Sequence, residues 1–242
     1  MKKAILMVTV IVFALAAAAQ TSKQHYLDIY KRAVKYNDSR TAINALHGYL
    51  ALGEEAAYKD TLGIIYYLSR DYYSALIISK EIYDADSKNI GALERMADCY
   101  NQLGDVKTAL DSYEKLAPIT QNPSHYYELA LAQYQLKRIG ECDASLGRVI
   151  ADTNSKRIAT PFNIGEGQTQ NVPVMAAAYN VKAVLLMEVK NYTEARKMIA
   201  KALELYPDFV GAQQNLQALN RLSGTKPAPV KAPAPTTKPK GK

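Results

Sequence analysis

The sequence predicts an all-α array of helical hairpins, and three observations predict it. A small residue returns at nearly equal steps, as Ala42, Ala75, Ala109, Cys142 and, after an interruption, Ala195, with gaps of 33, 34, 33 and 53 residues. Twelve residues before each of these stand Tyr30, Gly63, Ala97, Ala130 and Ala183, small in four of five cases. Large apolar or aromatic residues fill the neighbouring columns: Leu62, Met96 and Leu129; Tyr66, Tyr100 and Leu186; Tyr72, Ile139 and Tyr192. A period near 34 marks hairpins too small to bury their own apolar faces, which must stack to make a core. Two helices folded back on each other need a small side chain where their axes approach most closely, so both small columns have a packing reason.

In that register the units are 23–55, 56–89, 90–122, 123–155 and 176–209. Between the two helices of successive units lie Asn37-Asp38, Arg70-Asp71, Gly104-Asp105, Lys137-Arg138 and Lys190-Asn191. Asp or Asn there can cap the second helix; Asn191 with Glu194 has capping-box spacing, and Asn122-Pro123 reads as an N-cap followed by proline at the first helical position. Residues 156–175 break the period. Two prolines, two glycines and strand-like runs at 157–160 and 170–172, around Gly165-Glu166-Gly167, predict a short β-hairpin or ordered loop. Such an insertion serves as part of a binding face, as a packing flap between the fourth and fifth units, or as a separator of two subarrays that bend relative to each other. After the last unit, Phe209, Ala212, Leu216, Leu219 and Leu222 recur at three- and four-residue steps. They predict an amphipathic helix over 210–222 that covers the final hydrophobic edge. Gly224 ends it, and the Lys/Pro/Ala-rich remainder of the tail (223–242) has no residue able to build a core. In a polyproline-like form, residues 225–242 would reach roughly 55 Å at about 3.1 Å per residue.

The pattern resembles the tetratricopeptide repeat family over about 190 residues. Its clearest members are Leu62-Gly63…Tyr66…Ala75, Met96-Ala97…Tyr100…Ala109 and Ala183…Leu186…Tyr192…Ala195…Pro207. The first unit departs from it, with Tyr30 in a small-residue column. The resemblance implies a right-handed α-solenoid whose first helices line a concave groove that binds a peptide or protein segment. By family register the groove columns hold Lys31, Asp60, Ile64, Tyr67, Glu94, Asp98, Asn101, Tyr127, Leu131, Tyr134, Asn180 and Val184. Tyr67 and Tyr134 share one column, with Asn101 between them. A tyrosine joins an apolar face to a hydroxyl, which suits an interface anchor; repeat packing would explain the same residues. Related arrays that grip a terminal carboxylate use several Lys, Arg and Asn in this groove. Asp60, Glu94 and Asp98 speak against that ligand here.

Composition narrows the functional classes. Lys2 and Lys3 precede an apolar run that ends at Ala17-Ala18-Ala19 before Gln20, the arrangement of a secretory signal peptide over 1–19. The uninterrupted stretch Ala4 to Ala19 falls short of the roughly 20 residues a spanning helix needs. The junction looks like those of periplasmic proteins from Gram-negative bacteria. Of the 30 basic residues, seven lie outside the body (Lys2, Lys3, Lys226, Lys231, Lys238, Lys240 and Lys242), leaving 23 against 23 acidic ones. A neutral body with a basic tail does not resemble a nucleic-acid binder, which would gather Lys and Arg on its folded surface. Cys142 stands in for alanine in a small column. Export would permit a bridge to Cys99, but the two lie in different units. His25, His47 and His125 are isolated, and no metal-ligand spacing, phosphate loop or nucleophile motif occurs. The expectation is therefore a protein without catalytic residues, metal or cofactor that binds a protein or peptide within the cell envelope. The alternative is a structural envelope component tethered by its lysine tail to an anionic surface.

Overall fold

The computed structural model describes residues 22–165 and 167–224. The segment 1–19, read from sequence as a signal peptide, and the tail from 225 onward lie outside the described residues. Eleven α-helices are described: α1 (22–35), α2 (Ser39–Ala51), α3 (Ala56–Leu68), α4 (Tyr72–Ala85), α5 (Ile90–Gln102), α6 (Val106–Thr120), α7 (Pro123–Gln135), α8 (Ile139–Ala151), α9 (Val174–Glu188), α10 (Tyr192–Leu205) and α11 (Val210–Leu222). A short 3-10 helix, Thr153–Lys156, and two strands, β1 (Ala159–Gly165) and β2 (Gln168–Pro173), separate α8 from α9. The chain divides between Thr120 and Gln121 into two compact bodies. The all-α hairpin class is observed, together with the small β insertion.

In the N-terminal body the hairpins α1–α2, α3–α4 and α5–α6 follow one another, with α4 packed on α5 as well as on its own partner α3. Ala42, Ala75 and Ala109 are buried, as are Gly63 and Ala97 in the other small column. Space there is tight: a Cβ on Gly63 would stand 3.1 Å from Ile78 Cγ2 and 3.3 Å from Arg95 Nε. In the C-terminal body the equivalent Ala130, Cys142, Ala183 and Ala195 are fully buried in one core that also takes Phe209, Ala212 and Leu219 from α10–α11. Cys99 and Cys142 are both free thiols, and burial lifts the Cys142 pKa to about 11.

The five hairpin turns repeat one device. Each first helix ends on a residue with positive φ: Asn37, Arg70, Gly104, Lys137 and Lys190. The next N–H then reaches back five residues to a helix carbonyl, as in Asp71 N to Tyr66 O (2.9 Å), Asp105 N to Tyr100 O (2.9 Å) and Asn191 N to Leu186 O (2.8 Å). This left-handed cap satisfies carbonyls that a helix end otherwise leaves open. The residue making that bond also starts the second helix. The side chains of Asp38, Asp71, Asp105 and Asn191 accept from the backbone N–H of Thr41, Ser74, Thr108 and Glu194. Arg138 cannot accept and instead donates to Glu141 in the first turn of α8. Asn122 caps α7 as predicted, accepting from Ser124 N at 2.9 Å with Pro123 opening the helix.

The insertion is longer in strand than the sequence predicts and lies slightly earlier in the chain. Residues 157 and 158 close the 3-10 turn, the strands extend to Gly165 and from Gln168, and α9 begins at Val174 rather than 176. The strands pair antiparallel with Thr160 opposite Val172 and Phe162 opposite Gln170. Val174 N–H donates to the Ile158 carbonyl (2.9 Å). That sets the alternation of the ladder and puts Pro161 and Pro173 at positions whose missing N–H faces away from the partner strand. One hairpin face packs on α9 and α11. Phe162 meets Phe209 edge-on, ring centroids 4.8 Å apart, and a Cβ on Gly211 would collide with the Phe162 ring at 2.4 Å. The Gln170 side chain donates to Asp208 O (2.7 Å) and accepts from Val210 N (3.1 Å), serving the start of α11, whose N-cap Phe209 has no side-chain acceptor. That inner face is packing. Ala159, Pro161, Asn163 and Asn171 remain exposed on the other.

Gly104 isolates the backbone requirement of the turns, because an added Cβ would meet nothing within 4 Å while φ is +84°. Gly104→Ala is expected to destabilise the protein by about 1 kcal/mol through the left-handed conformation alone. The denaturant midpoint checks this; an unchanged midpoint would mean the turn relaxes to another conformation.

Candidate functional site

On α3, Asp60, Ile64, Tyr67 and Leu68 fall at helical spacing along one stripe, while Leu62 and Gly63 point into the core. On α5, Glu94, Asp98 and Asn101 form the corresponding stripe, opposite buried Ala92, Met96 and Cys99. Two contacts bring these stripes onto a common face. The Tyr67 hydroxyl donates to Asp98 Oδ2 at 3.1 Å, and the Arg95 guanidinium pairs with Asp60. Each contact is anchored from behind. Tyr113 of α6, itself buried, donates to Asp98 Oδ1 at 2.8 Å. Arg95 Nε donates to Ser79 Oγ at 2.7 Å, and that hydroxyl donates in turn to the Ala75 carbonyl.

The two phenols hold the Asp98 carboxylate in one orientation, and neither brings a charge with it. Burial, then the Asp98 charge and its hydrogen bond, push the Tyr67 phenol far above its usual range, so it stays a donor. Apolar groups remain uncovered beside this polar pair: Ile64 is 40% exposed and Leu68 73%. Glu94 and Lys31 are exposed, and Asn101 is half-buried.

The C-terminal body repeats the tyrosine contact. Tyr134 of α7 donates to Glu188 Oε1 at the end of α9 (2.5 Å), and Lys137 lies 5.3 Å from its ring centroid. The hydrogen bond to Glu188, ahead of burial, raises the Tyr134 pKa to about 12. Tyrosines of one predicted groove column therefore clasp adjacent first helices in each body. Leu131 and Val184 are half-buried, Leu131 against the core. Tyr127 and Asn180 must be withdrawn from the groove. Tyr127 is 3% exposed within the core, and Asn180 is 2% exposed and accepts a 2.8 Å hydrogen bond from Asn215 of α11. Asn180 is covered because α11 packs on α9, and Tyr127 is enclosed in the core that α7 shares with α8 and α9.

Arg95, Ser79, Tyr113 and Glu188 were not among the sequence-predicted residues. One signal was available: a tyrosine bound for the interior needs an acceptor for its hydroxyl, so Tyr67 and Tyr113 each implied a nearby acceptor such as Asp98. Among the described residues, no group of three or more His, Cys, Asp or Glu side chains could hold a metal ion.

Tyr134→Phe tests the clasp through its linkage to pH. The folded-state pKa lies above the unfolded value near 10, so the clasp stabilises below pH ~10 and is lost as pH rises toward about 12. Across that window wild type should lose more stability than Tyr134→Phe. Identical pH profiles would show that the phenol–Glu188 contact contributes nothing.

Comparisons with known proteins agree with the fold. The tetratricopeptide repeat family model matches residues 176–209. No curated protein sequence matches the chain. Among solved structures, a tetratricopeptide repeat protein from Parabacteroides merdae aligns with a TM-score of 0.66 at 18% identity, over 85% of this chain and 75% of its own. MamA from Desulfovibrio magneticus aligns at 0.63 and 13%, over 78% and 97%. YrrB, described as a tetratricopeptide repeat protein with an unusual peptide-binding site, aligns at 0.63 and 15%, over 79% and 90%. In its fifth hairpin the chain matches the tetratricopeptide repeat model, and along most of its length it has the fold of tetratricopeptide repeat structures.

Proposed function

We propose that the chain is a non-catalytic binding scaffold whose α3–α5 face accepts an extended protein segment. The observation that carries this reading is the exposure of Ile64 and Leu68 along one stripe beside a carboxylate oriented by two phenols. Apolar surface supplies affinity and fixed polar groups supply orientation, the usual division of labour in peptide recognition. The peptide-binding site in the description of YrrB supports the reading by analogy. Export to the cell envelope is part of the proposal and rests on Lys2, Lys3 and the apolar run that follows. No helix among the described residues is long and apolar enough to cross a membrane.

Peptides selected from a random display library against the full chain test the face. Ile64→Asp and Leu68→Asp each replace an exposed side chain and should leave the melting temperature within a few degrees. Each should weaken the selected peptides about tenfold or more. If both variants fold normally and bind those peptides as tightly as wild type, the α3–α5 face is not the site. The clasp explains why Tyr67→Ala is the poorer probe: it removes a helix-to-helix hydrogen bond along with any contact to a partner.

A further inference from the structure

The first helices of the C-terminal body, α7, α9 and α11, finish at one edge, and two contacts hold them there. Tyr134 near the end of α7 donates to Glu188 at the end of α9. Arg196, early in α10, donates to the Ser223 hydroxyl that closes α11 (3.5 Å). α11 stops as the hairpin helices do, on a residue of positive φ, Gly224, one repeat period after Lys190. Each of the three ends leaves one large apolar side chain uncovered beside a cation: Leu136 (39% exposed) next to Lys137, Val189 (68%) next to Lys190 and Leu222 (58%) next to Arg221.

Charge at this edge departs from the pattern of the other turns. In the N-terminal body the residue after each positive φ is an aspartate: Asp38, Asp71 and Asp105. Here the same position holds Arg138 and Asn191, and with Arg138 the side-chain cap on α8 is lost. A stabilising cap is given up there for a positive charge. Glu141 and Glu194 neutralise Arg138 and Lys197. That leaves Glu188, bound by the Tyr134 phenol, against Lys137, Lys190 and Arg221. Residues 225–242, which continue the chain from this edge, carry five lysines and no acid.

We infer that this edge of the C-terminal body docks on the surface of an anionic phospholipid bilayer. Leu136, Val189 and Leu222 enter the boundary between headgroups and acyl chains, where a single anchor holds weakly and several together hold reversibly. Lys137, Lys190 and Arg221 lay their aliphatic stems along the same layer and keep their charged ends among the phosphates. The apolar groups sit on turns at the tips of hairpins rather than between helices, so a surface can take all three at once. The lysines that follow Gly224 in sequence add attraction of the same sign. The inference stands apart from the α3–α5 face, which belongs to the other body.

Co-sedimentation of the chain from residue 20 onward with vesicles tests the inference. Vesicles of equal parts phosphatidylcholine and phosphatidylglycerol should bind it, phosphatidylcholine alone should not, and high salt should weaken binding severalfold. Val189→Ser combined with Leu222→Ser should weaken binding at least about fivefold, while Ile77→Ser, at an exposed position on α4, should leave it unchanged. The chain contains no tryptophan, so Val189→Trp gives a single reporter that needs no loss of function. Its emission should shift to the blue on anionic vesicles and be quenched by brominated lipid; that of Ile77→Trp should not. No binding to anionic vesicles, or equal weakening by the Val189/Leu222 and Ile77 variants, would overturn the inference. So would binding that vanishes when 225–242 is removed yet ignores Val189 and Leu222, which would assign attachment to the tail alone. A blue shift of Val189→Trp with polyglutamate but not with vesicles would assign the edge to an acidic protein partner, again against the inference. Library-selected peptides that depend on Ile64 would stand or fall separately.

Discussion

Everything in this structure depends on how closely two helices of a hairpin can approach. A hairpin of about 30 residues has no interior of its own, so its stability comes from the apolar surface it shares with its partner helix and the next hairpin. Sharing works only where backbones come near, and the columns containing Gly63, Ala97 and Ala130, and Ala75, Ala109, Cys142 and Ala195, supply that proximity. Large residues then fill the flanking space, such as Leu62, Tyr113, Leu146 and Ile199, all fully buried. The turn joins the two helices without an unpaired end. One residue takes a positive φ, and the following one closes the first helix and, in four of the five turns, caps the second with its side chain.

Much of this was legible because the small columns and the caps are local in sequence. A 34-residue spacing is preserved whatever the loops do, and an Asp or Asn between two periodic runs has one economical use. The cap helix could be read to the residue, since Phe209, Ala212, Leu216 and Leu219 define its apolar stripe. The insertion was legible as a hairpin, but its purpose was not. Gln170 serves the start of α11 from 40 residues away in sequence, and nothing in the local pattern around either residue encodes that pairing. Tyr127 and Asn180 escaped for a related reason. Register assigns them to a groove column, while burial is decided by tertiary packing: α11 lies over Asn180 on α9, and Tyr127 is enclosed between α7, α8 and α9.

The clasps alter how the tyrosine-rich composition is understood. Tyr67 and Tyr134 look like anchors awaiting a partner, yet each already spends its hydroxyl on a carboxylate of the next first helix. What remains for recognition is the ring face, the neighbouring aliphatic side chains and a carboxylate whose direction is fixed. A surface organised in this way selects by charge and shape while its polar groups are positioned in advance, which lowers the ordering cost of binding.

The central claim is that close approach at the small columns sets the fold, and α10 offers an internal comparison because it holds both buried and exposed alanines. Ala195 is fully buried in the small column, while Ala200 is exposed on the same helix. The denaturant midpoints of Ala195→Leu and Ala200→Leu measure the claim most directly. Ala195→Leu should destabilise the protein by roughly 1–3 kcal/mol through overpacking, and Ala200→Leu should stay within about 0.5 kcal/mol of wild type. Equal midpoints for the two variants would contradict the account.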